Sequence, residues 1–199
     1  MIRKIITIDK EKCNGCGLCA RACHEGAIGI IDGKATLLRE DYCDGLGDCL
    51  PACPTDAISF EEREALAYDE TAVHNSMSKL KNFPVQLKLA APNAPFYKGC
   101  DLLIAADCAA YTYGNFHNDF MKDKVTLIGC PKLDGVDYSE KLYQILATND
   151  IQSVTLTRME VPCCGGLENA LRKALVMSKK NLPLKVVTLS TEGRIIKQV

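Results

Sequence analysis

Cysteine is the residue type in this sequence with the greatest capacity for chemistry, because it supplies 12 of the 199 residues. Seven cysteines lie among the first 53 residues, and aligning the chain with itself at an offset of 30 brings most of them into register. The matched pairs are Cys13 with Cys43, Gly15 with Gly45, Gly17 with Gly47, Cys19 with Cys49, Cys23 with Cys53, Ala27 with Ala57 and Ile28 with Ile58. A repeat of this period indicates two copies of one small unit, each a cysteine loop followed by a short helix and a strand.

The spacing of the first copy is typical of iron–sulfur ligation. It reads Cys13-x2-Cys16-x2-Cys19-x3-Cys23, and two intervening residues let neighbouring thiolates reach adjacent irons of one cluster. The glycines of the loop let the backbone approach closely without a Cβ in the way.

Disulfide bonds are not expected, because the sequence points to a reducing compartment. No secretory leader is evident, since the first residues carry charges on both sides of a very short apolar run. The longest stretch without Asp, Glu, Lys or Arg is Cys108 to Asn118, whereas a membrane helix needs about 20 apolar residues. We therefore expect a cytoplasmic protein without a membrane span, whose thiols are free for metal ligation.

On these motifs, residues 1–62 resemble a two-cluster bacterial-type ferredoxin. The resemblance implies an α+β cluster domain with two iron–sulfur clusters, in which the fourth cysteine of each motif serves the other cluster. It implies that Cys13, Cys16, Cys19 and Cys53 hold a [4Fe-4S] cluster, and that Cys23, Cys43 and Cys49 serve the second cluster.

Two residues depart from the ferredoxin pattern, and both concern the second cluster. Leu46 stands where the repeat requires a cysteine, and His24 replaces the proline that normally follows the fourth ligand. Three outcomes follow, in decreasing order of expectation. They are a [3Fe-4S] cluster on three thiolates, a [4Fe-4S] cluster completed by Asp44, Asp48 or solvent, and an empty site.

The second part of the chain has a different pattern. Residues 63–98 are predicted to be a linker, since the segment is charged and then carries prolines at 84, 92 and 95. In residues 99–199, predicted strands at 101–107, 124–129, 153–159 and 185–189 alternate with helices. This alternation predicts an α/β domain with a mostly parallel, doubly wound sheet. One predicted helix buries Tyr138, Leu142, Ile145 and Leu146 behind an Asp137-x-x-Glu140 capping box, and another buries Leu167, Ala170, Leu171, Ala174 and Leu175.

Four cysteines follow the predicted strands of this domain. Cys108 comes after the first strand, Cys130 after the second, and Cys163 and Cys164 after the third. Because the carboxyl ends of parallel strands share one edge of the sheet, we expect the four thiols to converge there as a metal site. Cys100, at the opposite end of the first strand, is expected to be a buried structural thiol.

The Cys-Cys-Gly sequence at 163–165 is similar to motifs of heterodisulfide-reductase-like iron–sulfur proteins. The chain as a whole resembles ferredoxin-fused iron–sulfur proteins of anaerobic microbes, a resemblance that supplies no reaction. The four thiols could hold an additional iron–sulfur cluster, a zinc ion, or no metal. His117 is a further candidate, as a ligand or proton donor near Cys108 or as an ordinary surface histidine.

Three functions are consistent with these candidate sites. The first is electron transfer, in which ferredoxin clusters relay electrons to a second metal site in the α/β domain. The second is a reductase-type enzyme whose α/β-domain cluster binds a small-molecule substrate. The third is a zinc-stabilised docking domain that carries a ferredoxin. Electron transfer comes first, because it needs only residues already identified.

The charge distribution favours a redox protein as the partner. Residues 1–70 carry 14 acidic and 8 basic side chains, whereas residues 71–199 carry 11 and 16, so the first part would be steered to a basic partner. Nucleic-acid binding is not expected, since no basic stripe with interleaved aromatic residues is present. Flavin and nicotinamide binding have no support either, because GxGxxG and P-loop patterns are lacking.

Overall fold

The structure is a computed structural model that describes residues 1–199. The chain forms two compact units, Met1–Met77 and Ser78–Val199. The segment expected to be a linker is shared between them, since residues 63–77 belong to the first unit and residues 78–98 to the second.

The first unit contains four strands and two helices. They are β1 (Ile2–Ile8), α1 (Leu18–Ala22), β2 (Ile28–Ile31), β3 (Lys34–Leu37), β4 (Ile58–Glu64) and α2 (Glu70–Ser76), with a 3-10 turn at Glu40–Tyr42. β1 and β4 pair antiparallel, and β2 and β3 form a hairpin whose turn is Asp32-Gly33. Both turn residues have positive φ, as a tight two-residue turn of this kind requires.

The apolar core of the first unit is small and includes its thiols. The buried residues are Ile5, Ile6, Cys13, Cys19, Ala27, Ile28, Ala35, Cys43, Cys49, Ala57, Ile58 and Ala65. Apart from the thiols it consists of four isoleucines and four alanines, so the hydrophobic contribution to folding is limited. Such a unit needs a further source of stability, which bound metal supplies in other small domains.

The second unit is built on a five-stranded sheet. Its strands are β5 (Cys100–Ala106), β6 (Lys124–Gly129), β7 (Ile151–Met159), β8 (Leu184–Leu189) and β9 (Ile195–Gln198). The strand order is β6-β5-β7-β8-β9, with β5 to β8 parallel and β9 antiparallel to β8. The prediction of a mostly parallel α/β sheet is confirmed. The sequence did not predict β9, because all four of its residues are exposed and give no buried pattern.

Helices connect the parallel strands and bury the predicted faces. They are α3 (Asp107–Thr112), α4 (Pro131–Asp134), α5 (Ser139–Thr148) and α6 (Gly165–Ser178), with short turns at Pro95–Tyr97, His117–Met121 and Pro162–Cys164. Leu142, Ile145 and Leu146 of α5 are buried, as are Leu167 and Leu171 of α6. Strand β5 lies between β6 and β7 and buries every residue from Leu102 to Ala106, as a strand covered on both faces does.

The start of α5 differs from the predicted capping box. The Asp137 carboxylate accepts the backbone N–H of Ser139 (2.8 Å) and also the Ser139 hydroxyl. Glu140 accepts a hydrogen bond from the side-chain amide of Gln144 instead (3.1 Å). The Asp137-x-x-Glu140 prediction is wrong, because Tyr138 already has helical backbone angles and brings the Ser139 N–H within reach of Asp137.

Part of the predicted linker covers the edge strand β6. Asn82 is buried, and its side chain accepts the N–H of Thr126 (2.8 Å) and donates to the Thr126 carbonyl oxygen (3.0 Å). Farther along, the N–H of Leu87 donates to the Ile128 carbonyl (2.8 Å), and the Ile128 N–H donates to the Val85 carbonyl (2.9 Å). These bonds satisfy backbone groups that an edge strand would otherwise leave open.

The turn between β8 and β9 yields a stability prediction. Gly193 has φ +78°, and a Cβ at this position would lie 2.2 Å from the carbonyl oxygen of Thr112 in α3. Gly135 is the matched control, with φ +63° and open space around it. We expect Gly135→Ala to lower the free energy of unfolding by about 1 kcal/mol through backbone strain, and Gly193→Ala by about 1–3 kcal/mol more. Chemical denaturation of the full chain followed by circular dichroism measures both losses, and equal losses would contradict the prediction.

Candidate functional site

The first cysteine group brings together Cys13, Cys19 and Cys53. Burial raises the pKa of Cys19, and the charges of Cys53 and Cys13 raise it further, so the three sulfurs lie close to one another. The backbone N–H of Ala35 is the main cause of a lowered pKa at Cys13, whose Sγ accepts it at 3.3 Å. Cys16 lies in the same loop and is exposed.

In each copy, the thiol at one matched position accepts a hydrogen bond from a backbone N–H. The Ala27 N–H donates to Cys23 Sγ at 3.2 Å, and the Ala57 N–H donates to Cys53 Sγ at 3.3 Å. Burial acts to raise the pKa of Cys53, but hydrogen bonds from Thr55 and Ala57 outweigh it and the pKa is lowered overall. At Cys53 the donors therefore favour the thiolate, which is the form that binds metal.

Close backbone contacts explain a matched pair of loop glycines. Gly15 has φ +75°, and a Cβ there would lie 2.0 Å from the carbonyl oxygen of Gly33. Gly45 has φ +80°, and a Cβ there would lie 2.7 Å from the carbonyl oxygen of Lys4. Only glycine combines this backbone angle with so close an approach. The two loops are thus anchored in the same way against different parts of the unit.

The second cysteine group comprises Cys23, Cys43 and Cys49, which line one cavity of the first unit. Burial raises the pKa of Cys49 to about 11, and the charges of Cys23 and Cys43 act in the same direction. Cys43 and Cys49 are each 6% exposed. The three thiols expected at the second cluster are therefore close together, and no fourth thiol lines the cavity.

Position 46 keeps the loop geometry and lacks only the thiol. Asp44 Oδ1 accepts the N–H of Leu46 at 2.9 Å, just as Asn14 Oδ1 accepts the N–H of Cys16 at 3.1 Å in the first copy. The Leu46 side chain is 77% exposed and does not line the cavity. One corner of the second site consequently has no protein sulfur.

The other departure, His24, leaves the local turn unchanged. The N–H of Gly26 donates to the Cys23 carbonyl oxygen at 3.3 Å. In the second copy, where Pro54 follows Cys53, the N–H of Asp56 donates to the Cys53 carbonyl oxygen at 3.4 Å. The turn after the cysteine therefore forms with or without proline.

Three carboxylates line the second cavity together with the thiols: Glu25, Asp44 and Asp48. Glu25 Oε2 lies 3.9 Å from Cys23 Sγ. Burial raises the pKa of Tyr68, and the charges of Glu25 and Asp44 contribute, which places these two carboxylates near the same phenol. The sequence prediction included Asp44 and Asp48 but not Glu25. Glu25 comes two positions after Cys23, as Thr55 comes two positions after Cys53.

The donor set of the first unit fits iron–sulfur clusters. Grouped thiols, N–H donors aimed at sulfur and glycine-containing loops are the features that hold an anionic cluster. Cys13, Cys16, Cys19 and Cys53 would hold one cluster entirely through sulfur. The second group offers three sulfurs and neighbouring carboxylates, so it fits a cluster with one corner that is not bound by thiolate.

In the second unit, three parallel strands end at one edge of the sheet. β5 pairs with β6 up to Ala106 and Gly129, and β5 pairs with β7 up to Ala105 and Thr157. The residues that follow these strands carry the four predicted thiols, Cys108, Cys130, Cys163 and Cys164. The common edge expected from the sequence is therefore present.

Two of these four thiols, Cys163 and Cys164, lie in the turn before α6. Burial raises the pKa of Cys164, and the charges of Cys163 and Cys108 raise it further. Cys164 is buried, whereas Cys163 and Cys108 are exposed. Cys130 lies beside Tyr138, whose pKa is raised by burial, then by Asp134, with a smaller contribution from the charge of Cys130.

Asp107 adds a carboxylate to this edge that the sequence reading did not identify. Its Oδ1 atom is buried and has no hydrogen-bond partner. Burial raises the pKa of Asp107, and the charge of Asp134 adds to the shift. A single aspartate after a strand gives no sequence signal of this kind, since burial of one oxygen depends on the packing around it.

The thiols of the second unit do not form a site of single-ion size. Among the 199 described residues, no three His, Cys, Asp or Glu side chains are placed to hold one metal ion. A structural zinc site requires four such ligands around one ion, whereas the ligands of an iron–sulfur cluster surround a larger group.

His117 lies away from the cysteines. It is exposed, and its Nδ1 accepts the backbone N–H of Lys79 at 3.1 Å. It lines a pocket with Tyr111, Met121 and Ile128, and no cysteine lines that pocket. This placement favours the surface-histidine alternative over a role as metal ligand.

Comparison with known proteins agrees with this two-part description. A profile of a Rossmann-like domain matches residues 94–199, and a profile of a 4Fe-4S binding domain matches residues 5–28. The second match contains all four cysteines of the first motif, whereas the second copy lies outside it. The chain therefore belongs to the Rossmann-like domain family and carries a 4Fe-4S binding domain in its first unit.

One relative comes from Archaeoglobus fulgidus. It is 40% identical to this chain over 99 residues, which cover 49% of this chain and 69% of the relative, and it bears only the description uncharacterized protein. In addition, none of the helices in the structure combines the length and the apolar character that crossing a membrane requires.

The isolated Cys100 yields a prediction about pH. It opens β5, at the opposite end of the strand from Cys108. Burial raises the pKa of Cys100 to about 11, with the charge of Asp101 adding to the shift, so only about one Cys100 thiol in 10⁴ is ionised at pH 7. We expect its alkylation by iodoacetamide to accelerate about tenfold per pH unit between about pH 7 and pH 10.

Short labelling pulses under anaerobic conditions, read by peptide mass spectrometry, measure this rate. Cys100→Ser provides the background for the peptide assignment. A rate that stops rising near the ordinary thiol pKa of 9.0 would contradict the prediction.

Proposed function

We propose that this protein is an iron–sulfur electron-transfer protein. The observation that carries the proposal is the paired arrangement of the first unit, where two groups of thiols each receive a backbone N–H at matched positions, Cys23 and Cys53. Donors of this kind stabilise cluster ligands and set reduction potentials. The 4Fe-4S binding domain matched at residues 5–28 agrees with this function.

In this proposal the two groups have separate tasks. Cys13, Cys16, Cys19 and Cys53 hold a [4Fe-4S] cluster, and Cys23, Cys43 and Cys49 serve a second cluster of the [3Fe-4S] or [4Fe-4S] type. When bound, such clusters supply one-electron transfer. The chain supplies the rest, because its N–H donors stabilise negative charge on sulfur and its buried thiols keep water away.

The partner would be another redox protein. Residues 1–70 carry 14 acidic and 8 basic side chains, an excess that attracts a partner with a basic surface. This attraction is screened by salt, so electron exchange with such a partner would slow as the ionic strength rises.

The strand-edge thiols of the α/β unit are the proposed end of the relay. Cys163 and Cys164 lie in the turn before α6, and Cys108 and Cys130 follow the neighbouring strands β5 and β6. We favour an additional iron–sulfur cluster over zinc for this edge, because zinc sites of four sulfurs commonly use two close cysteine pairs and only one such pair, Cys163 and Cys164, is present here.

A reductase-type enzyme is the second candidate function, and Asp107 is the observation that favours it. A carboxyl group whose pKa is raised by burial, and which has one oxygen without a hydrogen-bond partner, keeps its proton to a higher pH than an exposed aspartate and can deliver it to a group that is being reduced. A small molecule bound at the strand edge would then receive electrons from the clusters and a proton from the protein. Changes in the electron paramagnetic resonance (EPR) spectrum on adding small ligands would distinguish this function from simple transfer.

Electron transfer requires that these thiols bind iron, and this yields a prediction. We expect anaerobically purified protein to contain iron and acid-labile sulfide. Cys19→Ser should remove the EPR signal of one cluster and roughly four irons per chain. Cys100→Ser is the control, since Cys100 belongs to neither group, and it should leave the iron content unchanged.

Iron and sulfide analysis, together with EPR of the dithionite-reduced protein, measures the result. Cys164→Ser extends the test to the α/β unit, where it should lower the metal content and leave the ferredoxin signals in place. Wild-type protein that is folded by circular dichroism but colourless and free of iron would overturn the proposed function.

A further inference from the structure

The α/β unit contains a pocket that no cysteine lines. Its volume is about 340 Å³, which lies within the range of about 300–1,000 Å³ that is usual for small-molecule sites. The pocket lies between the edge strand β6, the helix α3, the turn at His117–Met121 and the segment that covers β6. Every residue that lines it belongs to the second unit.

The walls of this pocket are mostly apolar. The side chains that form them are Leu80, Val85, Ala110, Met121 and Ile128. No Asp, Glu, Lys or Arg lines the pocket, so it offers no ion pair to a phosphate or a carboxylate and no carboxylate to a metal ion. A neutral and largely apolar ligand suits this lining, because its binding removes apolar surface from water on both sides.

An aromatic ring at the rim of the pocket favours a flat ligand. Tyr111 of α3 lines the pocket and is 94% exposed, so its ring lies where the pocket meets solvent. Aromatic rings attract other flat rings in offset-stacked or edge-to-face arrangements. A ring system can therefore contact Tyr111 at the rim and the apolar walls inside, whereas a flexible chain gains nothing specific from the aromatic ring.

Two polar side chains of the pocket are set up as hydrogen-bond donors. His117 Nδ1 accepts the backbone N–H of Lys79 at 3.1 Å, so the neutral imidazole carries its proton on Nε2 and donates from there. Ser78 Oγ accepts the backbone N–H of Leu80 at 3.2 Å, which leaves the Ser78 hydroxyl hydrogen to be donated. Acceptor atoms such as carbonyl oxygens are the ligand groups that complement these donors.

Thr126 adds a buried hydroxyl that lacks a partner. Thr126 lines the pocket and is 1% exposed, and its Oγ1 atom has no hydrogen-bond partner. Its backbone N–H and carbonyl oxygen are both bonded to Asn82, so only the side chain is unsatisfied. A buried hydroxyl without a partner is unfavourable. The oxygen is shielded from water, and a ligand reaches it as the flexible side chain of Met121 shifts aside.

We propose that this pocket binds a quinone-type ring, a flat and neutral ring system whose carbonyl oxygens accept hydrogen bonds from Thr126 and His117 while its face packs against Tyr111. Mostly apolar walls with a few uncharged donors are the lining that such a ring requires. The inference does not depend on the proposed function, since binding involves no cluster and moves no electron. Quinones are redox-active, so the inference also supplies a class of small molecule for the reductase-type alternative.

The test is the binding of 2,3-dimethyl-1,4-naphthoquinone to the full-length protein, purified anaerobically without reductant and measured by equilibrium dialysis. Both ring positions next to the carbonyls of this probe are blocked by methyl groups, so the 12 cysteines do not add to it. The matched ligand is 2,3-dimethylnaphthalene, which has the same rings and methyl groups without carbonyl oxygens. Both ligands contact the apolar walls, and only the quinone accepts hydrogen bonds, so the pair separates the two contributions.

Substitutions at two positions assign the contacts. Thr126→Val removes the hydroxyl, so it should weaken quinone binding roughly 3- to 10-fold and leave hydrocarbon binding unchanged. It should also raise the resistance of the protein to denaturant, because an unpartnered buried hydroxyl is lost. Thr126→Ser keeps the hydroxyl and should retain the affinity. Tyr111→Ala should weaken both ligands by a similar factor, roughly 3- to 10-fold, whereas Tyr111→Phe keeps the ring and should weaken neither. Leu133→Ala changes an exposed residue that does not line the pocket and is the control.

The outcomes separate this inference from the proposed function. A folded wild-type protein that does not bind the quinone would overturn the inference, and so would a Thr126→Val variant that binds the quinone as tightly as the wild type or loses both ligands equally. Circular dichroism establishes that each variant is folded. Iron analysis of the same samples is independent of these results, so an iron-free protein that binds the quinone would overturn the proposed function alone.

Discussion

The constraint on which the first unit depends is the burial of sulfur in a unit with little apolar core. Burial resists ionisation, as the pKa of about 11 at Cys49 illustrates, yet metal binding requires the thiolate. Backbone N–H donors reduce this cost at Cys13 and Cys53, where they act to lower the pKa of the thiol. A bound cation removes what remains, because it stabilises the ionised sulfurs as a group. Folding of this unit and binding of its metal are therefore coupled.

The same constraint explains what the two copies share and where they differ. Backbone geometry fixes the turns, the N–H donors and the loop contacts, so these are retained at matched positions. Side chains facing the cavities are not fixed in this way. Lys34 donates to the Cys13 carbonyl oxygen at 2.6 Å beside the first group, whereas carboxylates surround the second. Negative charge near a cluster disfavours its reduction, so two such environments would give two different potentials and a direction to electron flow.

The sequence predicted the features that follow from spacing and periodicity. The cysteine repeat, the parallel strands and the buried face of α5 all depend on regular patterns along the chain. It missed β9, because an exposed edge strand has no buried face. It also missed the position of Glu25 beside the second cysteine group and the buried oxygen of Asp107, because these depend on which side chains share a cavity and which oxygen atoms lose contact with water. Such properties arise from tertiary packing, and a single sequence does not display them.

The strand edge of the α/β unit gathers thiols by a different route. Its cysteines come from separate strand ends, so their meeting depends on the register of β5 with β6 and β7 and not on loop spacing. Without a ligand, this edge lowers the stability of the unit. The unpaired Asp107 oxygen carries a penalty of about 1–3 kcal/mol. Burial also opposes ionisation of Cys164. A cation would offset both costs by pairing with the carboxylate and the thiolate. Occupancy of this edge would therefore stabilise the whole sheet by mass action.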